Sequence, residues 1–220
     1  MARPSRDQSI AALRTLGVVA VVRLDDAAQL RRVVDALAAG EVRAIEVTVT
    51  MPGALDALAA LSAANGEQLV VGAGSVLDAE TARLAILAGA RFIVAPAFNR
   101  SVVETCHRYD VVAIPGAYTP TEILTAWEAG ADLIKLFPAS ALGPNYLKEL
   151  HGPLPQLRLV PTGGLTAESA GAFIAAGAFA VGVGGALVPR ELVARGEFGR
   201  LTESARRLTA AVRAARVRAQ

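Results

Sequence analysis

Short, uninterrupted apolar runs alternate with longer amphipathic stretches from Val18 to the end of the chain. Runs of this length with no polar alternation read as strands of a parallel sheet covered on both faces, and the stretches between them as helices. The first run, 18–22, ends at Arg23, and Asp25 and Asp26 open a helix that reaches Gly40. The second, 44–49, is followed by Pro52 and a helix to about Ala64. The same unit then returns as strand 69–73 with helix 79–88, strand 91–94 with helix 101–108, and strand 111–114 with helix 121–129. A strand within 131–138 precedes helix 145–150, strand 158–160 precedes helix 167–176, and strand 179–183 leads to a short helical segment and a long last helix.

The dipeptide Ala-Gly stands just before a strand at Gly40, Gly89, Gly130 and Gly177, where glycine in the left-handed region would stop each helix. Eight such strand–helix units predict a closed (β/α)8 TIM barrel. It would be a single α/β domain over 1–220, with an N-terminal lead-in and a long C-terminal helix. A doubly wound open sheet is the alternative, but no G-x-G-x-x-G lies between its first strand and first helix.

Composition narrows the setting. Hydrophobic residues make up 53% of the chain, enough for a large core. The net charge is only +2, so the sequence pI near 9.0 reflects arginine written in place of lysine on a balanced surface. That is no footprint for nucleic acid. Cys106 is the only cysteine, which rules out an intrachain disulfide and suits a reducing compartment. Residues 1–10 are polar and lack the apolar core of a signal peptide. The uncharged run 169–189 is long enough to span a membrane, yet Gly171, Gly177, Gly182, Gly184 and Gly185 break it into helix, turn, strand and loop. The expectation is a soluble, cytoplasmic protein with no membrane or nucleic-acid partner.

Of the 22 basic residues only Lys135 and Lys148 are lysine, and Lys135 lies between Ile134 and Leu136 in an apolar strand. Arginine keeps its proton in proteins, whereas lysine can lose it and become a nucleophile. Burial and a nearby Arg23 would favour the neutral amine, and a nearby carboxylate would oppose them. Glu46, between Ile45 and Val47, is the second charged residue inside an apolar strand and shares the parity of Thr48. It is either a structural ion-pair partner or a general acid/base beside Lys135. Arg23 is either its partner or a clamp for a substrate anion.

In a barrel the active groups sit at the carboxyl ends of strands and in the loops that follow. Those positions hold Arg23, Glu46, Thr48, Ser75, Pro96, Pro115, Lys135, Phe137, Thr162, Gly163, Gly164, Gly184 and Gly185. The two glycine pairs follow the last two strands, where exposed backbone N–H groups can cradle a phosphate dianion. His107 and His151 are the only histidines and neither ends a strand, so no metal site is expected.

These residues resemble the 2-keto-3-deoxy-6-phosphogluconate (KDPG) aldolases and their 4-hydroxy-2-oxoglutarate and 6-phosphogalactonate relatives. The matching segments are VAVVR from Val19, IEVT from Ile45, VGAGSV from Val71, IPG from Ile114, LIKLFP from Leu133, PTGG from Pro161 and GGALVP from Gly184. The resemblance implies a trimeric TIM-barrel class I aldolase acting on a phosphorylated keto acid without metal or other cofactor. Within it Lys135 is the Schiff-base lysine, Glu46 the general acid/base, Arg23 an anion contact, and Ser75 stands near the pyruvyl carboxylate. Gly163, Gly164, Gly184 and Gly185 form the phosphate site. Thr50 stands where many members have arginine, and Gly185 where serine is common. Two other readings of the residues stay open: a phosphosugar isomerase or epimerase on the same barrel, and a non-catalytic phosphometabolite-binding barrel.

Overall fold

The computed structural model describes residues 4–65 and 68–218. Among them, nine parallel strands form two sheets. The six-stranded sheet runs in the order β5 (Val112–Ile114), β4 (Phe92–Val94), β3 (Val70–Gly74), β2 (Ala44–Thr48), β1 (Val18–Val22) and β9 (Val181–Val183). The three-stranded sheet is β6 (Gly116–Ala117), β7 (Ile134–Leu136) and β8 (Leu159–Pro161). The larger sheet curls into a half-barrel, and the eight-stranded ring expected from the sequence is met only in part. The ladder breaks at two places, between β8 and β9, where only an isolated Thr162–Gly182 bridge remains, and within the fifth strand. Pro115 has no N–H to give to the ladder, so the strand divides into β5 and β6 around it, although the Pro115 carbonyl still accepts from Lys135 N–H at 2.9 Å.

Along each strand alternate side chains turn to opposite faces. One set packs outward against the helices: α2 (Leu30–Ala39), α3 (Ala54–Asn65), α4 (Ala79–Leu87), α5 (Arg100–Arg108), α6 (Pro120–Glu128), α7 (Gly143–His151), α8 (Ala167–Ala175) and α10 (Phe198–Arg218). The other set fills the concave faces of both sheets with one cluster, including Val19, Val70, Phe92, Val112, Leu133 and Val160. Gly72 makes room for the Phe92 ring there, since a Cβ at 72 would overlap it.

Helix α1 (Arg6–Leu16) covers the amino-terminal end of this cluster with Leu13, Ile10 and Leu16. The sequence reading left this segment as a lead-in. Ser5 and Gln8 close a capping box at its start, and Gly17 stops it with φ +70°.

The helix stops at Gly89, Gly130 and Gly177 take the expected left-handed φ, from +93° to +101°. Gly40 does not. Its φ is −94°, and Glu41 takes the left-handed turn at +70° instead. Position 40 is glycine for another reason: a Cβ would overlap Ala205 and the Thr202 carbonyl on α10, which crosses this point. A single residue thus sets how closely α2 and α10 pack.

Candidate active site

Every strand brings its carboxyl end to the same side, and a cavity of about 520 Å³ opens there. Lys135 projects from the middle of β7 and Glu46 from the middle of β2, both from the interior-facing set. They are 6% and 3% exposed, and Lys135 Nζ lies 3.8 Å from Glu46 Oε1. The pair is close enough for strong attraction and too far for a hydrogen bond. Glu46 Oε1 is buried and hydrogen-bonds to no described residue. Burial pushes the Glu46 carboxyl above the usual glutamate range, and the charges of Lys135 and then Arg23 only partly offset it. A carboxyl in that state takes up and gives back a proton more readily near neutral pH than an exposed one does.

The β3 segment VGAG explains how a carboxylate fits at this depth. A Cβ on Gly74 would overlap the Glu46 carboxyl group, so the strand passes glycine under it. Immediately after, Ser75 takes φ +62° and turns its hydroxyl toward Arg23, whose Nη2 donates to it at 3.4 Å. Lys135 is further flanked by the Phe137 ring, 5.1 Å from Nζ to the centroid, within cation–π range.

Opposite this group the chain turns through Thr162, Gly163 and Gly164 after β8, and through Gly184 and Gly185 after β9. Gly163 and Gly164 have φ +97° and +73°, a region that favours glycine. A Cβ on Gly164 would crowd Ser140, whereas one on Gly185 would meet nothing within 4 Å. The Leu187 and Val188 N–H groups return to the Gly184 carbonyl at 2.8 and 2.9 Å and fold the second turn tightly.

The structure therefore gathers Arg23, Glu46, Ser75, Pro96, Lys135, Phe137, Thr162, Gly163, Gly164, Gly184 and Gly185 around one cavity. It does not bring Thr48 there. Thr48 is fully buried, and its hydroxyl donates to the Val22 carbonyl at 3.2 Å, tying the carboxyl end of β2 to that of β1. Val21, Val188, Pro189, Arg190 and Glu191 also line the cavity and were not picked from the sequence. The signal for the last two was position, since they stand in the loop and first turn after the final strand. Among the described residues no three His, Cys, Asp or Glu side chains gather where they could hold a metal.

A larger cavity of about 700 Å³ lies at the opposite end, lined by Arg14, Arg158, Arg216 and His151 among others. Its charge has a structural use. Helices of this fold end on that side, and Arg216 donates to the carbonyls of Arg14, Thr15 and Phe179, closing the end of α1. The paired amine and carboxyl are at the other end.

A family model described as KDPG and KHG aldolase matches residues 10–204. With the parallel α/β fold and the Lys135–Glu46 pair, this defines an enzyme of the aldolase class. A 2-dehydro-3-deoxy-phosphogluconate aldolase of Treponema pallidum is 36% identical over 196 residues, 89% of this chain and 91% of the relative. Two solved structures superpose with a TM-score of 0.84. One is native KDPGal, 30% identical over 91% of this chain and 96% of its own. The other is KDPG aldolase from Legionella pneumophila with pyruvate captured as a covalent carbinolamine, 27% identical over 91% of this chain and 98% of its own. The chain belongs to the KDPG and KHG aldolase family.

Proposed function

We propose that the protein is a class I aldolase that cleaves 2-keto-3-deoxy-6-phosphogluconate to pyruvate and glyceraldehyde 3-phosphate through an imine on Lys135. The observation that carries this reading is the buried Lys135–Glu46 pair at 3.8 Å in a cavity walled on its far side by two glycine turns. The carbinolamine of the Legionella relative supports an amine that adds to a pyruvate carbonyl.

Lys135 Nζ adds to the C2 ketone, and loss of water gives a protonated imine. The Glu46 carboxylate accepts the C4 hydroxyl proton as C3–C4 breaks, and the bonding pair moves into the imine to leave an enamine. The aldehyde departs, Glu46 returns its proton to C3, and water releases pyruvate and restores the amine. The imine is the electron sink, so the cycle calls for no metal or organic cofactor. Arg23 and Ser75 hold the carboxylate next to the reacting ketone, and the glycine turns receive the phosphate.

A second reading has its own support. The native KDPGal structure superposes as well as the Legionella one and is 30% identical to this chain against 27%. The two sugar acids differ at C4, the carbon whose hydroxyl Glu46 would deprotonate. Comparing kcat/KM on the gluconate, the galactonate and 4-hydroxy-2-oxoglutarate ranks them.

The wider architecture follows the same reading. β5 and β6 flank a single proline, and an isolated bridge joins Thr162 at the end of β8 to Gly182 in β9; both support reading the two sheets as one ring of eight staves in a single domain. A cytoplasmic homotrimer completes the proposal, and sedimentation velocity tests its stoichiometry.

Pyruvate with borohydride should leave a stable adduct on Lys135, and Lys135→Arg should lose both label and turnover. A labelled Lys135→Arg, or one that turns over fully, overturns the proposal. An isomerase or epimerase using Glu46 as a proton shuttle would trap nothing, and a mere binding protein would release no pyruvate in a lactate-dehydrogenase-coupled assay.

A further inference from the structure

The geometry points to Arg190 as the side-chain cation that reads the substrate's phosphate in this chain, released from Asp25 when the phosphate arrives. This rests on the aldolase reading above. Five charged side chains line the cavity: Arg23, Glu46, Lys135, Arg190 and Glu191. Lys135 is paired with Glu46, and Arg23 is turned to Ser75. Arg190 follows directly on Val188 and Pro189 in the segment that leaves the Gly184–Gly185 turn.

Gly185 contributes no hydroxyl to that turn, and the space a side chain would occupy there is open. A phosphate bound to these turns alone would meet backbone dipoles and the Thr162 hydroxyl, whose proton already goes to the Val160 carbonyl at 3.2 Å, with Glu191 nearby to repel it. Arg190 supplies the missing charge. Its present partner is weak: Nη1 lies 3.6 Å from Asp25 Oδ1, with the two side chains 62% and 80% exposed. Exposed pairs of this kind contribute between about 0 and 1 kcal/mol. A phosphate dianion offers the guanidinium a bidentate, charge-assisted contact that is stronger than this. Arg190 and Asp25 come from the loops after the last and first strands, so the exchange gives up one exposed link between those loops for the phosphate contact.

The test is steady-state kinetics on 2-keto-3-deoxy-6-phosphogluconate and on its unphosphorylated form, with inorganic phosphate as a competing probe. Arg190→Ala should raise KM for the phosphorylated acid about ten- to a hundredfold, with kcat changed by less than about threefold. Its kcat/KM on the unphosphorylated acid should stay within about twofold, and inhibition by inorganic phosphate should weaken in step. Arg190→Lys should recover part of the loss. Asp25→Ala should leave the KM for the phosphorylated acid unchanged or lower it, because Arg190 loses its competitor. Arg195→Ala, at the C-cap of the short helix α9 (Arg190–Ala194) that Arg190 opens, should change neither substrate. Equal losses on both acids, no change in phosphate inhibition, or a KM raised about tenfold by Asp25→Ala would overturn the inference while leaving the aldolase reading intact. Should the unmodified enzyme treat both acids alike, the phosphate reading itself falls and this inference with it.

Discussion

Glu46 has room for its carboxyl group because residue 74 is glycine: a Cβ there would overlap Glu46 Cδ and Oε1. The geometry of the Lys135–Glu46 pair is thus written partly in a residue with no side chain. Gly74→Ala should displace the Glu46 carboxyl from Lys135 and lower kcat at least about a hundredfold, the scale of losing a general acid/base. Forcing the extra methyl in should cost about 1–3 kcal/mol of stability. In a Glu46→Ala background the same substitution should cost much less, and urea titrations of the four proteins measure that coupling.

The raised Glu46 carboxyl predicts a pH dependence of activity. The acid limb of kcat/KM should lie above 4.5, the ordinary glutamate value, because in the proposed cycle the Glu46 carboxylate accepts the C4 hydroxyl proton and it forms only at higher pH. Glu46→Gln should lose that limb together with about two to four orders of magnitude in kcat. A limb that persists in Glu46→Gln belongs to another group.

The same shift predicts how stability changes with pH. The folded state holds the Glu46 proton more tightly than the unfolded chain does. This contribution is fully present below the unfolded value and is lost as pH rises through the higher folded one. The stability of the natural protein relative to Glu46→Gln should therefore fall as pH rises from 4.5 through the higher folded value, as read by denaturant midpoints. An unchanged difference would mean that Lys135 cancels the burial of Glu46 completely.

Ser75 joins backbone strain to recognition, since it holds a left-handed φ of +62° while its hydroxyl receives Arg23. Ser75→Gly should relieve the backbone by up to about 1 kcal/mol, the lower end of the penalty for a side chain in that region. It should also raise KM for pyruvate in the trapping reaction several-fold, in keeping with about 1 kcal/mol for one lost hydrogen bond. Stability and affinity moving in opposite directions is the outcome to look for.

At the other end of the molecule Leu13 is 1% exposed against the interior cluster. Leu13→Ala should cost about 2–5 kcal/mol and leave kcat/KM unchanged at temperatures where the protein stays folded. Thermal unfolding and kinetics on one preparation check both halves.

Much of the site was legible because charge inside an apolar strand is rare and needs a reason. That argument found Lys135 and Glu46, and the position of the glycine pairs after the last strands found the opposite wall. Position at the carboxyl end of a strand is a weaker signal, and at Thr48 it misleads, since a hydroxyl can satisfy itself on a neighbouring carbonyl and face no cavity. Helix α1 went unread because its apolar face is only three or four residues wide inside a polar segment, although Ser5, Gln8 and Gly17 marked both ends. Gly40 looked like its three counterparts, and only the passage of α10 over it explains the difference. Pro115 was visible in the chain, but whether a proline ends a strand or merely divides it depends on the neighbours that continue the ladder. Arg190 could not stand out in a chain that uses arginine for nearly every positive charge.

That habit has a practical side. Lys135 is buried in the cavity and Lys148 sits exposed on α7. Once the chain is denatured, a lysine-specific protease should cut it into residues 1–135, 136–148 and 149–220. Once pyruvate has been reduced onto Lys135 the first cut is blocked, and fragments 1–148 and 149–220 remain. The chemical state of one amine becomes readable as the length of a peptide.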